Sequence, residues 1–118
     1  MENGAGPRKV LIVDDDEDVR HTLRLLFEIE NYEVVGEADN GKDGLLMTLV
    51  HRPDIVLLDY RMPGVMDGEA TAQCIREALP EVRVVAFSGV LQEKPTWADA
   101  FLTKERISEV APLLEQLL

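Results

Sequence analysis

Ile55-Val56-Leu57-Leu58 is an unbroken apolar run between Asp54 and Asp59. It is too short for a helix and carries no polar residue at alternate positions, so it reads as a central strand covered on both faces. Helices packed on the two sides of a parallel sheet give that cover. The rest of the chain alternates accordingly. Lys9–Val13 is a β-branched run closed by aspartates, and Glu33–Ala38 ends in the turn-forming Asp39-Asn40-Gly41. Val82–Phe87 supplies a fourth strand and Ala100–Thr103 a weak fifth. Between them, Val19, Leu23, Leu26 and Phe27 recur at helical spacing behind Asp16, a ready N-cap. Leu45 and Leu49 mark a short second helix that stops before Pro53, and a third runs from about Gly68 to Leu79. Ile107, Val110, Leu114 and Leu117 form the apolar stripe of a closing helix. Strands alternating with helices pair in parallel through right-handed crossovers. The expected fold is therefore α/β, a flavodoxin-like doubly wound five-stranded parallel sheet in the order 2-1-3-4-5.

A chain of 118 residues suits one domain, read as 9–118, preceded by a flexible N-terminal tail over 1–8 with two glycines and a proline. The 23 acidic against 12 basic side chains, a net charge of −11, disfavour direct binding of nucleic acid. No apolar run approaches the roughly 18–20 residues needed to span a bilayer, so no membrane partner and a cytoplasmic location are expected. Cys74 is the single cysteine, which excludes an internal disulfide and leaves a small buried thiol in a helix as its reading.

In a parallel sheet, ligand sites collect beyond the carboxyl ends of the strands. Asp14 and Asp15 end the first strand, Asp59 the third, Ser88 the fourth and Lys104 the fifth. The first and third strands are neighbours in the expected order, so three carboxylates converge. Like charges that close repel unless a cation enters, and an all-oxygen donor set suits a hard divalent ion such as Mg²⁺, with Mn²⁺ an alternative. A cation with Lys104 would neutralise a phosphoryl group, leaving Asp59 as nucleophile and Ser88 as a hydrogen-bond partner. Each residue also has a plainer role: Asp16 as helix cap, Ser88 as partner of a local backbone donor, Lys104 as a solvated cation.

Val10-Leu11-Ile12-Val13-Asp14-Asp15, Asp59-Tyr60-Arg61-Met62-Pro63-Gly64, Asp67-Gly68, Phe87-Ser88 and Phe101-Leu102-Thr103-Lys104 together resemble the receiver domains of two-component response regulators. The likeness runs from about Arg8 to Leu118. It implies that Asp59 accepts phosphate from the phosphohistidine of a sensor histidine kinase or phosphotransfer protein. It also implies that Asp14, Asp15, Asp59 and the Arg61 carbonyl hold Mg²⁺. Ser88 then stands as the switch hydroxyl, Phe101 as the switch aromatic and Lys104 as the phosphate-pairing lysine. Such a domain assists its own phosphorylation and dephosphorylation without being a metabolic enzyme, and switches a protein-interaction face toward an effector domain or output protein. Dimerisation stays open.

Two departures stand out. The Met62–Asp67 segment carries one residue more than the common pattern between the proline and the Asp-Gly pair. Only 15 residues separate Ser88 from Lys104. Gly89–Asp99 holds Pro95 and few helix-pattern positions, so the fourth helix is expected to be short, irregular or absent. Trp97 is then the natural anchor, over the sheet edge or on an exposed partner surface. Two other classes remain open on the residues: a non-phosphorylated binding module and a small metal-dependent phosphatase.

Overall fold

The structure, a computed structural model, describes residues 6–118. The tail expectation over 1–8 thus lies largely outside the described residues. Five parallel strands, β1 (Lys9–Val13), β2 (Glu33–Ala38), β3 (Ile55–Leu58), β4 (Arg83–Ser88) and β5 (Ala100–Thr103), form one sheet in the order β2-β1-β3-β4-β5. That is the order the alternation of elements predicts. Val10–Val13 pair with Ile55–Leu58, so the two apolar runs lie side by side at the centre.

Four α-helices cover the sheet: α1 (Glu17–Ile29), α2 (Gly41–His51), α3 (Gly68–Ala78) and α4 (Val110–Leu117). Side chains alternate along each strand, which divides the core in two. Leu11, Val13, Val56, Leu58, Val84 and Ala86 face α2 and α3, against Leu45, Ala72 and Ile75. Val10, Ile12, Ile55, Leu57, Val85 and Phe87 face α1 and α4, against Leu23, Phe27, Val110 and Leu114. Asp16 caps α1 as its position predicts, accepting from the Asp18 and Val19 N–H groups at 2.9 and 3.3 Å.

Three elements have bounds that differ from the sequence reading, β4 at both ends, since it runs on to Ser88. The fourth strand starts at Arg83 because the Val82 N–H is spent on a turn to the Leu79 carbonyl, while Arg83 N–H reaches Asp54 across the sheet. Leu79 is the C-cap of α3 rather than its last turn. The closing helix is preceded by a six-residue 3₁₀ segment, Lys104–Glu109, bent at Arg106.

Among the described residues no helix forms between β4 and β5. The connector is pinned at its start by Ser88 Oγ, which accepts from the Val90 and Leu91 N–H groups, and at its end by Asp99. Trp97 is buried and stacks on Tyr60, with ring centroids 6.1 Å apart, and it packs in the α2/α3 layer with Phe101 and Leu91. Of the two positions open to Trp97, the packed one holds.

Candidate functional site

Asp14 and Asp59 leave the sheet at the ends of adjacent strands, and each continues the ladder by one bond. The Asp14 N–H donates to the Ala38 carbonyl at 3.0 Å and the Asp59 N–H to the Val13 carbonyl at 2.9 Å. Their side chains are almost fully enclosed, at 2% and 7% exposure. Asp15 lies beside them in solvent, and one carboxylate oxygen from each of the three lies within 4.8 Å of the others. The expected acidic triad is assembled.

Lys104 closes the pocket. Its Nζ lies 2.8 Å from Asp14 Oδ2 and 3.3 Å from Asp59 Oδ2. It is therefore an ion-paired group spanning two strand ends rather than a solvated cation. Asp14 Oδ1 accepts from the Asp16 N–H at 2.9 Å, while Oδ2 is buried with no aligned hydrogen-bond donor beyond that ion pair.

One ammonium does not balance three carboxylates in an enclosed site. Burial, with the Asp14 charge adding to it, pushes the Asp59 carboxyl up to about 7 against the pull of Lys104. Burial also raises Asp14, although Lys104 and the Asp16 N–H oppose the shift. Burial works against the Lys104 ammonium, yet its two carboxylate neighbours hold its pKa above the usual lysine value. The pocket is short of positive charge.

The donor set fits a hard divalent cation on observations of the site itself. Asp14 Oδ2 has unused lone pairs, Asp15 offers an exposed carboxylate, and every ligand atom is oxygen. No backbone hydrogen bond engages the Arg61 carbonyl among the described residues, which leaves it available in the loop after Asp59. That loop is held close by α3. Gly68 N–H donates to the Tyr60 carbonyl at 2.8 Å, and a Cβ on Gly68 would overlap the Asp59 carbonyl oxygen. The Met62–Asp67 segment turns outward, with Gly64 at φ 96° and Val65 almost wholly exposed.

Ser88 and Phe101 are placed less directly. Ser88 is buried at the end of β4, paired in register with Thr103, and its hydroxyl already serves the connector. Phe101 is half-buried among Trp97 and Leu91. Cys74 is half-buried in α3, away from this cluster. The sequence reading missed Arg20, whose Nη1 donates to the Asp14 carbonyl at 2.7 Å. Its position one turn beyond the aspartates on α1 was the available signal.

Comparison with known proteins gives a consistent picture. Residues 10–105 match the family described as response regulator receiver domain. The response regulator GacA of Pseudomonas aeruginosa is 43% identical over 88 residues, 74% of this chain and 40% of that protein. The transcriptional regulatory protein PdtaR of Mycobacterium tuberculosis is 33% identical, with 96% of this chain and 58% of that protein covered. The chain thus spans less than two thirds of the length of these curated relatives. Among solved structures, the CheX-CheY-BeF₃-Mg²⁺ complex of Borrelia burgdorferi matches with a TM-score of 0.87 and 26% identity, covering 100% of this chain and 95% of that one. The response regulator domain of Thermotoga maritima CheB matches with a TM-score of 0.81 and 26% identity, covering 93% and 92%.

Proposed function

This chain belongs to the response regulator receiver domain family, and we propose that Asp59 is its phosphoacceptor. The observation that carries the reading is the convergence of Asp14, Asp15 and Asp59 under a lysine that spans Asp14 and Asp59. An Asp59 carboxylate oxygen attacks the phosphorus of a phosphohistidine, supplied by a sensor histidine kinase or a phosphotransfer protein. The P–N bond breaks as the P–O bond of an acyl phosphate forms, and the departing imidazole nitrogen keeps the electron pair and takes a proton.

Asp14, Asp15 and Asp59, with the Arg61 carbonyl, would hold Mg²⁺ or Mn²⁺, and such an ion supplies positive charge to the phosphoryl oxygens. The likeness to a CheY solved with magnesium and beryllium trifluoride supports this assignment. Lys104 keeps Asp14 as partner and turns toward a phosphoryl oxygen as the charge on Asp59 moves outward. Ser88 Oγ accepts from the Val90 and Leu91 N–H groups and keeps its own hydroxyl proton to donate to a phosphoryl oxygen, so one atom joins the phosphoryl group to the connector. Phosphorylation is thereby linked to the connector and to Phe101 packed beneath it. The consequence is a changed protein-interaction face for an effector domain, an output protein or a second copy, in the cytoplasm. Among the described residues no helix is long and apolar enough to cross a membrane.

Incubation with a small phosphodonor and Mg²⁺, followed by intact-mass measurement, tests the assignment. One phosphoryl group is expected on the wild type and none on Asp59→Asn. A wild type left unmodified, under conditions that modify an ordinary receiver, would give way to the constitutive binding module.

A further inference from the structure

Asp14 must present its carboxylate inward while the next residue, Asp15, turns its own toward the same point from the solvent side. The peptide joining them bears on both directions, because its plane fixes the axes about which Asp14 ψ and Asp15 φ turn the two side chains. Its carbonyl, that of Asp14, is taken by Arg20 Nη1 at 2.7 Å. The guanidinium is itself clamped. Arg20 Nε donates to Glu37 Oε1 at 3.2 Å, and Arg24 Nε, one turn further along α1, donates to Glu37 Oε2 at 2.6 Å. Glu37 sits on β2 next to Ala38, whose carbonyl accepts the Asp14 N–H. The end of β2 therefore holds Asp14 twice, by Ala38 directly and by Glu37 through Arg20.

We infer that Arg20 is a positioning residue, which sets the Asp14–Asp15 peptide so that both carboxylates address one cation, and that Glu37 and Arg24 hold it there. The inference rests on the metal-site reading above. Arg20 touches no carboxylate of the triad and is not among the charges that shift Asp14 or Asp59. Its action is through geometry, as for residues that orient metal ligands elsewhere. The side chain is only 16% exposed, so solvent does little to loosen it. A lysine at this position carries all its donors on one nitrogen and so does not reproduce the rigid, separated Nε and Nη1 contacts to Glu37 and the Asp14 carbonyl.

The test is Mg²⁺ titration by calorimetry on wild type, Arg20→Ala, Arg20→Lys, Glu37→Gln and Asp15→Ala, all well below their melting temperatures. Arg20→Ala is expected to lower Mg²⁺ affinity about tenfold, with Arg20→Lys and Glu37→Gln between it and wild type. Amide exchange in the metal-free protein is expected to quicken at Asp15 and Asp16 in Arg20→Ala. If Asp15→Ala loses Mg²⁺ and Arg20→Ala binds it within twofold of wild type, the positioning role is overturned while the metal site stands. If neither variant changes Mg²⁺ binding, the site assignment falls and the positioning role with it. Should Arg20→Ala fail to fold, the graded loss in Arg20→Lys and Glu37→Gln carries the same decision.

Discussion

Replacing Asp59 by asparagine should stabilise the metal-free protein above neutral pH, although it removes one side of an ion pair. The folded-state pKa of about 7 lies some three units above the ordinary carboxylate value of 3.8. A group raised in this way is protonated in the folded chain and ionised in the unfolded one between those values, so stability falls as pH rises through that window. The penalty is absent below about pH 3.8, grows up to about pH 7 and is constant above it. A gap of this size has a ceiling of about 4 kcal/mol. Asparagine loses the 3.3 Å contact to Lys104, but that attraction already holds the Asp59 value down to about 7 and is contained in the ceiling. An incompletely bonded amide costs about 1 kcal/mol. The net gain is about 3 kcal/mol at pH 8, or roughly 12 °C for a domain of this size. Paired thermal melts in chelator from pH 4.5 to 9 would show the advantage of Asp59→Asn shrinking steadily as pH falls below 7. Equal or lower stability of the variant at pH 8 would refute the argument that the pocket is short of positive charge. Saturating Mg²⁺ should erase the difference, since the wild type gains binding free energy that the variant cannot match.

Other perturbations probe separate parts of the same framework. Asp15→Ala should lose Mg²⁺ affinity by calorimetry with little change in melting temperature, because its side chain is exposed. Asp99→Ala should cost about 2 kcal/mol in denaturant titrations at pH 7, since Asp99 receives Arg76 at 3.0 and 3.2 Å and the Val84 N–H at 2.8 Å. Burial pushes the Asp99 carboxyl up, but Arg76, the Val84 N–H and Arg83 outweigh it and hold its pKa below the usual value. That contribution is present above about pH 3.8 and fades as pH falls through the lowered pKa, so the two proteins should converge in acid. Gly68→Ala should destabilise by about 2 kcal/mol, because its methyl group meets backbone at Asp59 and Tyr60 that cannot swing away. An unchanged melting temperature there would show that α3 can retreat from the loop.

Local patterns carried most of what the residues disclosed in advance. β3 was legible because four consecutive apolar residues admit no half-exposed strand, and the Asp16 cap because its side chain meets N–H groups two and three positions on. The acidic triad followed from strand order, since Asp14 and Asp59 can converge only if β1 and β3 are neighbours. That a fourth helix would be short, irregular or absent was legible from Pro95 and the lack of apolar periodicity in 89–99, but which of the three was not. What escaped depends on pairs distant in sequence. Arg20 with Glu37, Arg76 with Asp99 and Tyr60 with Trp97 leave no periodic trace, and which polar groups meet is decided by packing geometry. The local role of Ser88 was legible only as an alternative, because a strand-end hydroxyl can serve a turn or a ligand.

The connector between β4 and β5 covers its part of the sheet in an unusual currency. A helix spreads its cover over several turns, each with its own hydrogen bonds, so it can fray from an end while the rest stays down. Here the largest part of the cover is one indole lying on Tyr60, with Leu91 and Ala98 packed in the same layer and Gln92–Lys94 and Thr96 in solvent. Cover of that kind is concentrated where a helix would spread it. Tyr60 is also the residue directly after Asp59, so the fastening of the lid and the chemistry of the pocket share one peptide bond.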